Sequence, residues 1–387
     1  MAAAIYMGVI LLILLRRHHH IFLVSSLSVL LFVLNLYLRI CLATFEELVA
    51  RNGWGVSRPK IDLDHLRDKY KLPQGDTGKW IFDDDGYKKW RESRESKLLW
   101  LCGRLGTGKT MLAKAVASEI LRGPSPNKVK LAFHSVSSEL ATSGNSADTG
   151  QPLQPRLTKV ASDLLYSILQ QDGSLFNSCK DKLRTQGNRF FTNPSSLWEV
   201  LEETIKACRT IEACRTDPVY ILIDGLDMFK GSSHQELMRR IQGLMDIQGP
   251  TVKIFLSSQD IPYISTSLPP RDKCVKITLD KNSAVKADVE KFIWHRVNSW
   301  GWSADLRKEV LEFLLAGPNL TFLVASLRLK MMVDIDFGFD VTLSREEQCE
   351  AASLDRDFYG FMVASKIHDA ATKWSWDIAY KEASMNP

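Results

Sequence analysis

The stretch Gly103-Arg-Leu-Gly106-Thr-Gly108-Lys109-Thr110 has the spacing G-x-x-x-x-G-K-[ST], a pattern suited to holding phosphates. Glycines let a backbone wrap so that successive N–H groups aim at phosphate oxygens, and a helix starting there adds its positive end. Lys109 supplies a point charge for terminal phosphates, and the Thr110 hydroxyl suits Mg²⁺. An apolar strand (Leu98–Cys102) precedes the loop and an amphipathic helical pattern follows it, as the motif requires. A second acidic site, Val219-Tyr-Ile-Leu-Ile-Asp224-Gly-Leu-Asp227, puts a carboxylate just past another apolar strand. Asp224 there is expected to hold Mg²⁺, and Asp227 to orient or deprotonate an attacking water. An Asp after a strand also commonly caps the next helix, and that reading stands beside the first. A third strand ends in Ser257-Ser258-Gln259, where a polar side chain can sense a terminal phosphate or simply be satisfied within its loop.

These groups need elements to bring them together. Five β-type runs (Leu98–Cys102, Val129–Val136, Val219–Ile223, Val252–Ser257, Cys274–Leu279) alternate with helical patterns over Thr110–Leu121, Leu157–Gln170, Leu197–Cys208 and Ser233–Met245. Alternation of this kind predicts a parallel sheet covered by helices on both faces. Three of the runs are nearly all apolar, as strands buried on both faces must be. Residues 137–156, rich in Ser, Gly, Pro and Thr, are expected to form an exposed loop. From Val285 onward the pattern is helical only (Val285–Asn298, Ala304–Leu315, Thr321–Val333, Ser353–Trp376), with Trp294, Trp300 and Trp302 expected in a helical core or domain interface. The expected division is a segment 1–44, a helical lead-in 45–92, a nucleotide-binding domain 93–284 and a helical domain 285–387, before a winged-helix or repeat region. The tandem ACRT at Ala207–Thr210 and Ala213–Thr216 is too short a period for a repeat architecture.

Composition narrows the classes. The 387 residues are 45% hydrophobic and 25% charged, which excludes a disordered or collagen-like chain. A net charge of +5 over this length gives no basis for nucleic-acid binding. Seven scattered cysteines without a C-x-x-C pair argue against a disulfide scaffold or zinc module and fit a reducing compartment. The amino terminus stands apart: Ala2–Leu15 is apolar, Arg16–His20 is polar, and Ile21–Ala43 is again largely apolar. A single membrane helix at 21–43 is the first expectation, with a cytosolic nucleotide-binding domain behind it. A two-helix hairpin turning at 16–20 and a segment that anchors nothing, leaving a cytoplasmic protein, are the alternatives. A signal peptide fits less well because the positive residues follow the first apolar run.

The set LLWLCGRLGTGKT, VYILIDGLD, IFLSSQDIPYI and TFLVASLRL, in this order, resembles the NACHT-type module of signal-transducing P-loop ATPases. More narrowly it is similar to fungal proteins with a nephrocystin-3-like amino-terminal domain, over about Trp80–Ile367. The resemblance implies a P-loop NTPase fold with a five-stranded parallel sheet in the order 5-1-4-3-2 and a helical domain after it; the hydrophobic helix expected at the amino terminus comes from the apolar runs there and is unusual for the family. It implies an ATP/ADP-dependent, Mg²⁺-requiring switch that self-oligomerises on activation, normally with a carboxy-terminal repeat sensor. Gly103, Gly106, Thr107, Gly108, Lys109, Thr110, Met111 and Gln259 would contact the nucleotide, Thr110 and Asp224 the Mg²⁺, and Lys109 and Asp227 would act in any hydrolysis. Four positions depart from the family pattern: Leu105 for proline, Met228 for an acid, Gln259 for arginine and Val324 for tryptophan. They leave nucleotide binding intact and weaken hydrolysis, so a non-hydrolysing, membrane-tethered binding platform is the competing expectation. A GTPase is excluded because no N-K-x-D strand end is present, and a small-molecule kinase fits poorly with a helical tail lacking a substrate pocket.

Overall fold

Parallel strands buried on both faces must be apolar throughout, and that requirement selects the middle of this sheet. In the computed structural model, which describes residues 61–68, 76–123, 129–136, 154–186, 189–208, 218–299, 304–315 and 320–332, five strands run in the order β2-β3-β4-β1-β5. They are β1 (Lys97–Cys102), β2 (Lys130–Ser135), β3 (Val219–Asp224), β4 (Val252–Ser258) and β5 (Cys274–Thr278), and every pairing is parallel. Every residue of β1, β3 and β4 is buried, while β2 and β5, at the edges, show partly exposed positions. This is the order expected from the resemblance.

The helices, in chain order, are α1 (Leu63–Asp68), α2 (Asp85–Glu92), α3 (Lys109–Arg122), α4 (Gln154–Gln171), α5 (Asn177–Gln186), α6 (Arg189–Thr192), α7 (Pro194–Ala207), α8 (Gly231–Met245), α9 (Pro262–Ser265), α10 (Ser283–Asn298), α11 (Ala304–Leu315) and α12 (Phe322–Met332). Contacts group the chain into two units, one containing Gln154–Cys208 and the other Pro59–Leu153 with Arg209–Pro387. The first unit holds α4–α7, with Leu164, Leu165, Ile168, Phe190, Leu197, Trp198 and Leu201 in its interior. The expected nucleotide-binding domain 93–284 spans this helical block, and the expected boundary at 284/285 lies within the range of the second unit.

The second unit contains the sheet. One cluster joins α1, α2 and α3 to the sheet through Leu66, Trp90, Leu112, Val116, Ile120, Tyr220 and Phe255. Another packs α10, α11 and α12 through Val289, Phe292, Ile293, Val297, Leu314 and Leu329. Trp294, expected in a core or interface, is 60% exposed among these helices; Trp300 and Trp302 lie outside the described residues. So do the segment 1–44 with its expected helix at 21–43, positions 137–153 of the expected loop 137–156, the second ACRT and the helical pattern 353–376; the last three positions of that loop, 154–156, instead form the first turn of α4. Among the described residues no helix is long and apolar enough to cross a membrane.

Side-chain tethers close the sheet's amino-terminal end. Trp90, fully buried, donates from Nε1 to the Lys97 carbonyl at 3.0 Å. Lys253, only 1% exposed, donates from Nζ to the carbonyls of Ser93 (2.6 Å) and Glu95 (2.9 Å), pinning the turn that feeds β1 onto β4. Burial first, then the nearby Lys97 and Arg91 charges, pull its pKa from 10.5 down to about 8.

The unfolded chain therefore holds the Lys253 proton more tightly, so stability rises with pH between about 8 and 10.5. Below about 8 both states are protonated and the cost of the buried charge is constant. Denaturant unfolding of the wild type against Lys253→Met across pH 7–11 should show the wild type gaining on the variant through that window, by about 3 kcal/mol at most.

Candidate functional site

The strand order sets the ends of β1, β3 and β4 side by side: Cys102 pairs with Ser258, Asp224 with Ser257, and Ser135 of β2 with Asp224. In open parallel sheets the crevice beyond the carboxyl ends of the strands is where ligands bind. Here that edge opens on a cavity of about 620 Å³, within the range of sites for small molecules.

From β1 the chain turns through residues 103–108 and enters α3 at Lys109. Gly106 (φ 73°) and Gly108 (φ 91°) hold left-handed conformations that side chains disfavour, and each also meets α12 closely. A Cβ on Gly106 would lie 2.3 Å from Leu323 Cβ, and one on Gly108 would lie 3.3 Å from the Phe322 ring. The Phe322 amide donates to the Gly106 carbonyl at 3.0 Å, so α12 begins directly on the loop. On the opposite side, Asp280 Oδ1 accepts from the Arg104 amide (3.1 Å) and its Nε (3.2 Å).

Lys109 turns its ammonium back onto this loop, donating to the carbonyls of Gly103 (2.7 Å) and Arg104 (2.8 Å). Burial pulls its pKa below the usual lysine value, and the carboxylates of Asp227, Asp224 and Asp280 oppose that pull. A half-buried cation, satisfied by two neutral carbonyls, is well matched to an incoming anion.

Asp224 is 4% exposed. Its Oδ2 accepts from Ser135 Oγ at 3.1 Å, and its Oδ1 from the Ser257 hydroxyl in a short hydrogen bond. Ser257 Oγ in turn accepts from the Gly225 amide at 3.1 Å. The carboxylate thus caps no helix, against the alternative that sequence left open; serines of two flanking strands hold it at the cavity wall. Asp227 sits on the 3₁₀ turn Leu226–Met228, where the Tyr263 hydroxyl reaches the Asp227 and Phe229 carbonyls, each at 3.3 Å.

Of the residues singled out in sequence, Gly106, Thr107, Gly108, Lys109, Thr110, Met111, Asp224, Asp227 and Gln259 all line the cavity. Gly103 does not: it is buried, with a Cβ position 2.8 Å from both Leu279 Cβ and Thr107 Oγ1, and it contributes its carbonyl to Lys109. Ser258 is turned away, accepting from Trp100 Nε1 at 2.7 Å. Sequence reasoning missed Ser135, whose role exists only through strand pairing. It also missed Asp288, 5% exposed on α10, whose Oδ2 accepts from the Gly78 amide (2.7 Å) and Trp80 Nε1 (3.0 Å) at the same cavity. Burial raises the Asp288 pKa, partly offset by those two donors. An acid at a position of the apolar face of α10, between Val285 and Phe292, was the available signal.

Residues 76–259 match the family described as Nephrocystin 3, N-terminal. The chain is 23% identical over 264 residues to the vegetative incompatibility protein HET-E-1 of Podospora anserina, covering 66% of this chain and 18% of that protein. It thus spans under a fifth of the length of that curated relative. The solved structure of the Aeropyrum pernix ORC2 protein in its ADP form aligns at a TM-score of 0.35 with 12% identity, over 83% of this chain and 72% of that one.

Gly106→Ala should force α12 off the loop, through both its φ and its contact with Leu323. Denaturant unfolding is expected to show a loss of about 1–3 kcal/mol, and an unchanged midpoint would mean that loop and helix are not held together as described.

Proposed function

Starting from a NACHT-like P-loop NTPase module related to fungal incompatibility proteins, we propose that this protein is a molecular switch that binds ATP or ADP with Mg²⁺. The observation that carries this reading is the half-buried Lys109 ammonium at the mouth of a left-handed glycine loop, with Asp224 and Asp227 lining the same cavity. The residues fit the ligand. Left-handed glycines cradle phosphate, Lys109 can exchange two neutral carbonyls for an anionic partner, and Asp224 presents a carboxylate held by two serines on the wall of the cavity that Thr110 also lines. Thr110 and Asp224 would hold Mg²⁺, which when bound neutralises phosphate charge.

Lys109 would leave the carbonyls of Gly103 and Arg104 to meet the terminal phosphates, and the two serines would keep Asp224 aimed while that happens. Phe322 and Leu323 press on the same loop, so a nucleotide that reshapes it changes the seat of α12. A switch needs no more than such a difference between two states. Self-association on activation belongs to this proposal as the usual behaviour of the NACHT type.

Turnover is expected to be slow. Asp227 would position water, and Lys109 is the only cation among the described lining residues, with Gln259 where the family has arginine. That same observation favours the second reading, a binding module that holds nucleotide without hydrolysing it. Membrane attachment through residues 21–43 lies outside the described residues.

Equilibrium titration of the full chain with ATP and Mg²⁺ checks the proposal. Lys109→Ala should lose measurable binding, and retained affinity would count against the whole reading. Asp227→Ala should bind as the wild type does while any single-turnover hydrolysis falls by about 10²-fold or more; absence of hydrolysis in the wild type would select the binding module.

A further inference from the structure

Beyond the phosphate loop, the cavity takes in Thr77, Gly78, Trp80, Val285, Asp288 and Phe292. Nothing in this group suits phosphate: its one formal charge is negative and its larger members are apolar or aromatic. Such walls suit a flat heteroaromatic ring that offers a hydrogen-bond donor at one edge. Asp288 supplies the matching acceptor. Both of its hydrogen bonds, from the Gly78 amide at 2.7 Å and from Trp80 Nε1 at 3.0 Å, go to Oδ2. Its Oδ1 is thereby left over on a residue that lines the cavity.

We infer that Asp288 selects the base, its Oδ1 accepting a hydrogen bond from the exocyclic amine of adenine. The inference rests on the nucleotide reading above and adds base specificity to it. Oδ2 is already committed, so the carboxylate cannot grip guanine through two parallel N–H donors, which would need both oxygens. Presented with the six-position carbonyl of guanine or hypoxanthine, Oδ1 meets a second acceptor, and two buried acceptors without a hydrogen between them are unfavourable. A ribose would need several polar partners and gains little from aromatic walls. The lead-in turn 76–80 is part of the device, because Gly78 and Trp80 hold the carboxylate in place and Lys291 ties Asp76 to the same helix at 3.3 Å.

The test is a titration series on the full chain with Mg²⁺: ATP, purine riboside triphosphate (no six-position amine), ITP, GTP and 2′-deoxy-ATP. ATP and 2′-deoxy-ATP should bind alike. Purine riboside triphosphate should bind about tenfold or more weakly, and ITP and GTP more weakly still. In Asp288→Asn the side-chain oxygen can keep Gly78 and Trp80 while an NH₂ donor replaces Oδ1, so ITP and GTP should gain on ATP. Should that variant fail to fold, the wild-type series decides alone. Equal affinity for ATP and purine riboside triphosphate, or a loss that follows the 2′-hydroxyl, overturns the inference and leaves the nucleotide reading standing. Failure of every triphosphate to bind overturns both.

Discussion

The contact on which the rest depends is the ammonium of Lys109 folded onto its own loop. Withdrawing a cation partly from water is costly unless it is compensated, and here two backbone carbonyls at 2.7 and 2.8 Å do so. That arrangement requires residues 103–108 to curl tightly, which requires left-handed glycines at 106 and 108. It also requires β1 to stand beside β4, next to β3, so that the loop opens toward Asp224. The sheet order is in this sense a device for delivering one cation and one carboxylate to a single hollow.

The same loop is the meeting point of otherwise separate parts of the second unit. Asp280, just past β5, holds Arg104 on one side, and Phe322 at the start of α12 holds Gly106 on the other. Neither α10 nor α12 belongs to the sheet, yet both line the cavity through Asp288, Phe292, Phe322 and Leu323. An occupant of that cavity therefore touches sheet, loop and helical region at once. This is the physical basis on which a change of occupant becomes a change of conformation.

Much of this was legible in the sequence because it is local. The loop spacing, the apolar runs of β1, β3 and β4, and Asp224 at a strand end are each written within a dozen residues, and their pairing follows once the sheet order is known. What escaped reading is non-local. Ser135 and Ser257 stand 89 and 33 positions from Asp224, and only strand register brings their hydroxyls to its carboxylate, a role unforeseen even for Ser257, which the strand end had already singled out. Asp288 meets Gly78 across 210 positions, and helical periodicity carries no hint of a turn arriving from so far away. Trp294 misled in the other direction: a large apolar residue on a helix suggests burial, but the apolar stripe of α10 runs through Val289, Phe292, Ile293 and Val297 and leaves it outward. The grouping of α4–α7 as a unit likewise depends on which helices pack together, which alternation with strands does not encode.

The most direct measurement is a crystal structure of the full chain grown with an adenine nucleotide and Mg²⁺. The expected result is phosphate oxygens on the amides of residues 106–110, with Lys109 Nζ released from the Gly103 and Arg104 carbonyls and turned onto them, and Asp224 facing the metal. An empty hollow under saturating nucleotide, with Nζ still on those two carbonyls, would contradict it.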